Sequence, residues 1–264
     1  PLAHIQGGEV TGNIDEKVRH SITKLSDYHF VASENAKKRV LDLGENPDFV
    51  FNTGCPSIDL AKTILDLPKL DFNPFSKYGG VGGKPAIENG YWVVMQHPVT
   101  TEVSQSRMHI EETLKALHEL KEPVLWFWPN VDAGADGTST GIRAFRENND
   151  LSQFHFFKNM DPLDFLKLLS HSKGLIGNSS VGIRECAFLG VPVINIGTRQ
   201  NRRARGNNVL DVNYSKSEIL EAINQIKSNP RPDSSDVYGG GDAGIQIANL
   251  LAEVPLIFHK TITF

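Results

Sequence analysis

The sequence predicts an α/β protein whose strands form parallel sheets covered by helices. Short apolar runs alternate along the chain with stretches of helical length, which is the order expected of repeated strand–helix–strand units. The apolar runs are also continuous, as in "YWVVMQ" (91–96) and "VPVINIG" (191–197). Continuous apolar runs are typical of strands that are buried on both faces of a parallel sheet.

The N-terminal elements follow this alternation. Apolar residues recur at helical spacing between Ile14 and Leu25, with acidic residues in the first turn, where the helix dipole favours them. Strands are predicted at "YHFVAS" (28–33) and "DFVFNTG" (48–54), and a helix at "ENAKKRVLDLG" (34–44). Residues 1–60 are therefore predicted to form a first α/β unit.

Residues 61–90 interrupt the alternation because they are rich in proline, glycine and asparagine, and they predict a partly mobile linker between two domains. Residues 91–244 resume it and predict a second α/β domain, with residues 245–264 as a C-terminal helix and tail. The predicted strands of this second domain are "YWVVMQ", "VLWFWPN", "FHFFKN", "KGLIGN", "VPVINIG" and "NVLDV".

Composition narrows the class of partner. The formal charge of −4 and the isoelectric point near 6.2 argue against nucleic acid or an anionic membrane as the main partner. Two cysteines, Cys55 and Cys186, stand far apart in no metal-ligand spacing and indicate a reducing compartment, with the cytoplasm as the expected location. The chain begins at Pro1 within a strand-like run, so we expect an N-terminal portion to precede it.

The strongest local signal is "KGLIGNSSVGIRECAFLGVPVINIG", in which small polar residues join a strand to a predicted helix that runs towards Leu189. Backbone N–H groups at such a helix start, together with Asn178, Ser179 and Ser180, form a geometry that binds phosphate. Glu185 lies further along and could accept hydrogen bonds from the ribose hydroxyls of a nucleotide. The alternative is that Asn178 or Ser179 only caps the helix.

Polar side chains also follow other predicted strands. His97 lies in "MQHPVTTE" and Asn130 and Asp132 in "WPNVDAG", at the carboxyl ends of strands where ligands bind in open parallel sheets. A structural histidine and a plain polar turn are the competing interpretations. The arginine-rich "GTRQNRRARGNN" (197–208) fits a phosphate clamp, a nucleic-acid patch or a solvated loop, and the net acidity of the chain weakens the second.

Several functions are not supported by any motif. "GGVGGK" (79–84) resembles a P-loop, but Pro85 follows where serine or threonine must bind magnesium, so a flexible linker is the better interpretation. No spacing suggests a metal site, and no G-x-G-x-x-G follows a strand. A site in this chain must therefore use carboxylates, histidine, arginine and helix dipoles.

Six motifs, in order, resemble the UDP-N-acetylglucosamine 2-epimerase family, and most closely its hydrolysing branch, which makes N-acetylmannosamine for sialic acid synthesis. They are "HIQGGEVTGNIDEKVRHSITKL", "GCPSID", "QHPVTTE", "PNVDAG", "GNSSVGIRE" and "PVINIGTRQ". The resemblance covers essentially the whole chain. It implies a GT-B-like fold of two Rossmann-type domains with a UDP-sugar in the cleft, and an N-terminal domain that is incomplete in this chain.

The resemblance also implies roles for particular residues. Ser179 and Ser180 would hold the diphosphate, Glu185 the ribose, and Arg199 and His97 the substrate side of the cleft. Asp15 and Arg19 would lie near the sugar, with Asp59 as a weaker candidate. The implied reaction removes a proton at C2, eliminates UDP and hydrates the resulting glycal, which requires an acid, a base and a stabilised leaving group. No cofactor or metal is implied.

One departure from the family affects the chemistry. The family usually has an acid where this chain has Gln6, and an amide cannot transfer a proton. Either Glu9 or Asp15 takes more of the acid–base work, or the substrate is a modified sugar, or the chain is inactive. Arg143 and Arg146 align only loosely with a feedback region of the animal enzyme, so feedback is not predicted.

The predicted function is therefore a hydrolysing UDP-N-acetylglucosamine 2-epimerase, or a relative acting on a 4-substituted analogue in nonulosonic acid synthesis. The nonhydrolysing epimerase, a GT-B glycosyltransferase and a noncatalytic nucleotide-sugar binder remain as alternatives. Gly7, Gly8 and Gly12 are expected to let the backbone approach the sugar. The expected partner is a UDP-sugar, not nucleic acid or a membrane, and the full-length protein is expected to form a homo-oligomer.

Overall fold

The computed structural model describes residues 1–10, 15–67, 69–130 and 133–263. Asp132 and Gly12, both singled out in the sequence, lie outside these ranges. Asp15 begins a helix, but its side chain also lies outside what the structure describes.

The N-terminal residues form a three-stranded parallel sheet. Its elements, in chain order, are β1 (Ala3–Ile5), α1 (Asp15–Leu25), β2 (Tyr28–Val31), α2 (Glu34–Asp42) and β3 (Val50–Asn52). The strands lie in the order β1–β2–β3 and all pairs are parallel. Helix α2 begins because the Ser33 hydroxyl accepts a hydrogen bond from the Ala36 N–H, which satisfies a backbone donor that has no partner within the helix. The predicted strands and helices of this unit are confirmed.

A seven-stranded sheet forms the larger unit. Three short elements come first along the chain: α3 (Pro56–Lys62), α4 (Pro74–Tyr78) and β4 (Val81–Gly82). The elements that follow are β5 (Trp92–Met95), α5 (Ser106–Leu120), β6 (Val124–Phe127), α6 (Ala135–Asn148), β7 (Phe154–Phe157), α7 (Pro162–Ser170), β8 (Gly174–Gly177), α8 (Ser180–Ile183), α9 (Glu185–Phe188), β9 (Val193–Ile196), β10 (Val209–Val212), α10 (Lys216–Ser228) and α11 (Ala243–Glu253). The strand order is β10–β9–β8–β5–β6–β7–β4. The pairs from β10 to β7 are parallel, as predicted.

The segment predicted as a linker contributes to this sheet. Strand β4 pairs antiparallel with β7 at one edge. The imidazole of His155 shares hydrogen bonds with the carbonyl oxygens of Gly79 and Gly83, at 2.7 and 2.6 Å. Part of the segment is therefore anchored to the second unit, while the domain boundaries remain a prediction.

Two apolar clusters cover the larger sheet, one on each face. Neighbouring strand residues such as Trp92 and Val93 belong to opposite clusters because successive side chains of a strand point to opposite faces. Helices α5 and α10 pack on the Trp92 face, and α3, α7 and α9 pack on the Val93 face. Each fully buried large apolar side chain contributes about 1.5–3 kcal/mol.

The C-terminal segment returns to the N-terminal sheet. The carboxylate of Asp59 accepts hydrogen bonds from the N–H groups of Ala243 and Gly244 at the start of α11, at 2.9 and 2.7 Å. Further on, Lys260 forms an ion pair at 2.6 Å with the buried carboxylate of Glu45, which follows α2. The predicted C-terminal helix is therefore present, and the tail packs on the first unit. Within the described ranges, no helix combines the length and apolar character that crossing a membrane requires.

The helix predicted to run towards Leu189 is interrupted. Helices α8 and α9 are each a single turn, and Arg184 between them has φ −103° and ψ −75°. The prediction of one continuous helix was wrong. The break allows two consecutive side chains, Arg184 and Glu185, to contact each other, whereas consecutive residues of a regular helix point in different directions.

Candidate functional site

A polar cavity of about 370 Å³ lies between the two units. It is bounded by the chain after β1 and by the loops after β8 and β9, so strand carboxyl ends from both sheets meet there. The residues in its wall are His4, Ile5, Gln6, Glu9, Arg19, Ser180, Arg184, Arg199, Gln200 and Arg203. Among the described residues, four arginines and one carboxylate therefore line the cavity, although the whole chain carries a net negative charge.

The structure brings together five of the residues predicted from the sequence: Gln6, Glu9, Arg19, Ser180 and Arg199. Sequence reasoning did not assign His4, Arg184, Gln200 or Arg203 individually to the site. Arg184 and Gln200 lie inside the motifs that carry the family resemblance, directly beside Glu185 and Arg199. This adjacency could have indicated that they belong to the site. Arg203 belongs to the arginine-rich loop 197–208, for which a phosphate clamp and a solvated loop were both left open.

Gln6 occupies the end of β1 in an unusual backbone conformation, with φ +64°. Such a conformation in a residue other than glycine costs about 1–3 kcal/mol and is typical of functional sites. Its side-chain Oε1 accepts a hydrogen bond from Arg184 Nη1 at 3.3 Å, and its Nε2 donates to Cys55 Sγ at 2.9 Å. Both ends of the amide are therefore engaged, and its carbonyl oxygen faces a cation.

Glu9 is the carboxylate in the described cavity wall, and its side chain is 7% exposed. Oε2 lies 3.6 Å from Arg203 Nε, and Oε1 lies 3.5 Å from the donating hydroxyl of Ser33. The Glu9 carbonyl oxygen accepts a hydrogen bond from Arg19 Nη1 at 3.1 Å. A carboxylate with these contacts can accept a proton from a ligand bound in the cavity.

The neighbouring Gly8 is required by packing. It has φ +74°, and a Cβ there would lie 2.3 Å from the carbonyl oxygen of Ala36 in α2. The glycine therefore allows the loop to approach α2 closely, which differs from the close approach to a sugar that the sequence suggested.

Arg184 lines the cavity and forms a partly buried ion pair with Glu185, which is not among the described wall residues; Arg184 Nη2 and Glu185 Oε1 are 3.5 Å apart. Burial opposes the charge of Arg184, but the nearby carboxylate of Glu185, followed by Cys55 and Glu9, raises the pKa of the guanidinium overall. Nη2 also donates to the Ser180 hydroxyl at 3.3 Å. Arg184 Nε and Glu185 Oε2 are buried with no hydrogen-bond partner among the described residues, so both retain capacity for a polar ligand.

The two serines of the turn after β8 have different surroundings. Ser179 caps α8, because its hydroxyl accepts a hydrogen bond from the Val181 N–H at 3.4 Å. Ser180 faces the cavity. Asn178 is 1% exposed, and its side chain bonds the backbone of His97 twice: Oδ1 accepts from the N–H at 2.7 Å and Nδ2 donates to the carbonyl at 2.8 Å. Asn178 thus positions the loop after β5.

His97 is buried and is not among the described residues of the cavity wall, and its ring is held neutral. The backbone N–H of Asn130 donates to His97 Nδ1 at 3.2 Å, which leaves the ring proton on Nε2. Burial, reinforced by the positive charge of Arg199, lowers the pKa of His97 to about 4. The side chain can therefore donate a hydrogen bond from Nε2 at neutral pH, without carrying a charge. Asn130 is exposed and is also not among the described wall residues.

The arginine-rich loop after β9 divides into separate roles. Arg199 Nη1 donates to the Asn178 carbonyl oxygen at 3.2 Å and lines the cavity. Arg203 points inward to Glu9, with a side chain that is 6% exposed. Arg205 pairs with Asp211 and Arg202 is exposed, so these two lie outside the cavity wall.

Three further candidates lie elsewhere. Asp59 caps α11, as described above. The guanidinium of Arg143 lies over the Trp128 ring at 6.0 Å, and that of Arg146 lies over the Phe156 ring at 5.1 Å, so both contact aromatic side chains around β6 and β7.

Comparison with known proteins gives a consistent result. The family model described as UDP-N-acetylglucosamine 2-epimerase matches residues 1–252. The chain is 32% identical over 256 residues to the UDP-N,N'-diacetylbacillosamine 2-epimerase (hydrolyzing) of Legionella pneumophila, covering 97% of this chain and 65% of that protein. It is 34% identical over 241 residues to the UDP-N-acetylglucosamine 2-epimerase of Neisseria meningitidis serogroup B, covering 91% of this chain and 61% of that protein.

The fold is also found in solved structures. The crystal structure of UDP-GlcNAc 2-epimerase from Neisseria meningitidis bound to UDP-GlcNAc superposes with a TM-score of 0.75 at 18% identity, covering 96% of this chain and 70% of that one. The predicted α/β, GT-B-like fold is therefore confirmed. The chain spans less than two thirds of the length of the two curated relatives described above.

Proposed function

The chain belongs to the UDP-N-acetylglucosamine 2-epimerase family, and from this premise we propose that the full-length protein is a hydrolysing UDP-sugar 2-epimerase. Its substrate is UDP-N-acetylglucosamine or an analogue substituted at C4, and its products are UDP and the free 2-epimeric sugar. The Legionella relative, named as a hydrolyzing enzyme for a diacetylated sugar, supports both the hydrolysing branch and the analogue.

One observation carries the proposal: among the described residues, four arginines and one carboxylate line a polar cavity between the two units. A cavity of net positive charge in an acidic chain favours an anionic ligand, and guanidinium groups match phosphate oxygens well. Three of these wall residues have buried polar atoms without partners in the described part of the chain, namely Arg184 Nε, Gln200 Oε1 and Arg203 Nη1. Such atoms are expected to bind a polar ligand or ordered water.

The proposed reaction begins with proton removal from C2 of the sugar. The C1–O bond to UDP then breaks, a C1=C2 double bond forms, and water adds its hydroxyl to C1 while C2 takes up a proton. In this scheme Ser180 and Arg199 bind the diphosphate, Glu185 contacts the ribose and Arg19 lies on the sugar side. The arginines stabilise the charge that develops on the departing UDP.

Two groups have distinct tasks in proton transfer. Glu9 is proposed as the carboxylate that exchanges a proton with the sugar, because Gln6 cannot; Asp15 is the alternative at the start of α1. His97 is proposed to act as a neutral donor through Nε2 to the ligand, since its ring is held without charge at neutral pH.

The setting of the reaction is also a proposal. A reducing cytoplasm is proposed because the two cysteines stand far apart in the sequence. Synthesis of sialic or related nonulosonic acids is proposed because one relative is named as a polysialic acid biosynthesis protein. A homo-oligomer of the full-length protein is proposed, and sedimentation equilibrium at two concentrations would reveal a monomer if that is wrong.

Proton NMR in deuterated water tests the reaction. The full-length protein is incubated with UDP-N-acetylglucosamine and, in parallel, with UDP-N,N'-diacetylbacillosamine. The proposal expects UDP and the free 2-epimeric sugar with deuterium at C2. A UDP-linked epimer would instead indicate the nonhydrolysing reaction, transfer only to an added acceptor would indicate a glycosyltransferase, and binding without turnover would indicate a noncatalytic nucleotide-sugar binder.

A further inference from the structure

Arg203 reaches from the loop after β9 to the opposite wall of the cavity. Its Nε donates to the carbonyl oxygen of Val10 at 2.9 Å and lies 3.6 Å from Glu9 Oε2. These two acceptors belong to the chain that follows β1, whereas Arg203 belongs to the larger unit. The contact therefore joins the two walls of the site at the carboxylate assigned to proton transfer.

Both partners of this contact are buried. The side chains of Arg203 and Glu9 are only 6% and 7% exposed, so water cannot freely replace either partner. Burial lowers the pKa of the Arg203 guanidinium, and the charge of Glu9 opposes that effect. A guanidinium stays protonated in proteins, so removing it would take away the cation that lies 3.6 Å from Oε2 of this buried carboxylate, although the charge of Arg184 also acts on Glu9.

The loop that carries Glu9 is also held from its other side. Arg39 in α2 donates through Nη1 to the carbonyl oxygen of Gly8 at 3.2 Å and through Nη2 to that of Arg202 at 3.0 Å. The backbone around Glu9 is thereby fixed by α2. Among the described residues, the side chain of Glu9 is contacted by the Ser33 hydroxyl at 3.5 Å and by Arg203 at 3.6 Å, and Arg203 is the charged one of these two partners.

We propose that Arg203 is a positioning residue of the proposed epimerase site, which holds the Glu9 carboxylate in the orientation required for proton transfer at C2. The role rests on the proposed function. Arg203 acts through Glu9: it fixes the direction of Oε2 and supplies the countercharge. Loss of that orientation slows the chemical step more than it weakens substrate binding, because a misplaced carboxylate still permits the nucleotide to bind.

Steady-state kinetics of the full-length protein test this role with three substitutions. Arg203→Met removes the charge while keeping much of the volume, and Arg203→Lys restores a charge without the planar donors. Arg202→Met is the matched control, because Arg202 lies in the same loop and its exposed side chain is not part of the described cavity wall. The substrate is whichever UDP-sugar the unmodified protein converts.

The expected result is a fall in kcat on the order of 100-fold for Arg203→Met, with KM and UDP affinity changed by less than about threefold. Arg203→Lys recovers about a tenth of the lost rate or more, and Arg202→Met matches the unmodified protein. In a cycle with Glu9→Gln, the double variant is no slower than Glu9→Gln alone, because Arg203 acts through that carboxylate.

Other outcomes distinguish a failure of the positioning role from a failure of the proposed function. Unchanged kcat in Arg203→Met, a loss confined to KM, no recovery with lysine, or losses that multiply with those of Glu9→Gln would overturn the positioning role while leaving the epimerase proposal intact. No turnover by the unmodified protein would instead refute the proposed function itself, and with it this role.

Discussion

Glu9 and Gln6 show how single residues determine the chemistry of the site. Gln6 occupies the position where the family resemblance implies an acid, and its amide is fixed between Arg184 and Cys55. Glu9 lies three residues later, in the same wall, with one carboxylate oxygen facing Arg203. The described cavity wall therefore holds a carboxylate close to Gln6 in the sequence.

Reciprocal substitutions separate these two residues. Glu9→Gln is expected to lower kcat by about 10²–10⁴-fold, the range associated with loss of general acid–base catalysis. Gln6→Glu is expected to change kcat by less than about threefold, because a carboxylate at position 6 would pair with Arg184. A gain of more than about tenfold in Gln6→Glu would show that position 6, and not Glu9, limits proton transfer.

Because His97 is neutral in the folded protein, the free energy of unfolding is expected to fall at acidic pH. Its folded pKa of about 4 lies below the ordinary value of 6.5, so the unfolded chain binds the proton more readily. The contribution of neutral His97 to the free energy of unfolding is fully present above pH 6.5. It decreases by up to about 3 kcal/mol as the pH falls towards 4.

His97→Gln tests this dependence, since glutamine can still accept from the Asn130 N–H and does not titrate. Urea unfolding at pH 7 and pH 4.5 should show a smaller loss of stability for the variant, by about 1–3 kcal/mol. Equal losses in the two proteins would mean that His97 is protonated in the folded state near pH 6.

The residues that sequence reasoning missed share a physical cause. Arg184 and Arg203 contact groups more than 170 positions away, namely Gln6 at a separation of 178 and Val10 at a separation of 193. Local spacing carries no information about such contacts. Ser180 and Arg199 were found because they follow strands, and parallel strands bring their carboxyl ends together whatever the details of the fold.

At the scale of elements, β8 and the two short helices after it organise the site. Gly177 ends β8, and the next residue, Asn178, joins this strand to the loop after β5 through two side-chain hydrogen bonds. Its carbonyl oxygen also accepts from Arg199 and Gln200, at 3.2 and 2.8 Å. One asparagine therefore links the carboxyl ends of β5, β8 and β9.

Replacement of Asn178 should cost more stability than replacement of the adjacent cap. Asn178→Ala leaves the buried N–H and C=O of His97 without their partners, at a cost of about 2–4 kcal/mol. Ser179→Ala removes one cap contact of a one-turn helix and should cost about 1 kcal/mol or less. Chemical denaturation of both variants at pH 7 measures the difference, and equal costs would contradict the assigned role of Asn178.

Strands were predicted correctly where the sequence contains apolar runs that become buried. The six predicted strands of the larger sheet, from β5 to β10, are present because their continuous apolar runs have one stable environment, a sheet covered on both faces. Prediction failed at the α8–α9 break and did not identify β4, where two residues pair with β7. Such short features depend on tertiary contacts more than on local propensity.

At the scale of the whole molecule, the two units are joined on both sides of the cavity. Arg184 and Arg203 reach the first unit from the second, and Arg39 reaches back to the loop after β9. The C-terminal tail makes a further connection, because Lys260 reaches the buried carboxylate of Glu45 and the carbonyl oxygen of Thr23. The cavity therefore depends on contacts that no separate unit could supply.

The ion pair between Lys260 and Glu45 is expected to stabilise the folded protein. Lys260→Met removes one of the cations around Glu45, whose side chain is 2% exposed, and should cost about 1–3 kcal/mol. Lys24 and His29 remain in contact with the carboxylate, which limits the loss. The exposed Lys158 provides the control, since Lys158→Met should change stability by less than about 0.5 kcal/mol. A similar effect in both variants, measured by urea unfolding, would show that the tail does not stabilise the first unit.

The central claim is that the arginine-lined cavity binds the diphosphate of a UDP-sugar. Isothermal titration calorimetry of the full-length protein with UDP, and with uridine as the ligand that lacks phosphate, tests it most directly. The account predicts saturable binding of UDP at one site per chain, at least about 100-fold tighter than binding of uridine, and weakened by Arg199→Met. Equal affinity for UDP and uridine, or no binding of UDP, would contradict it.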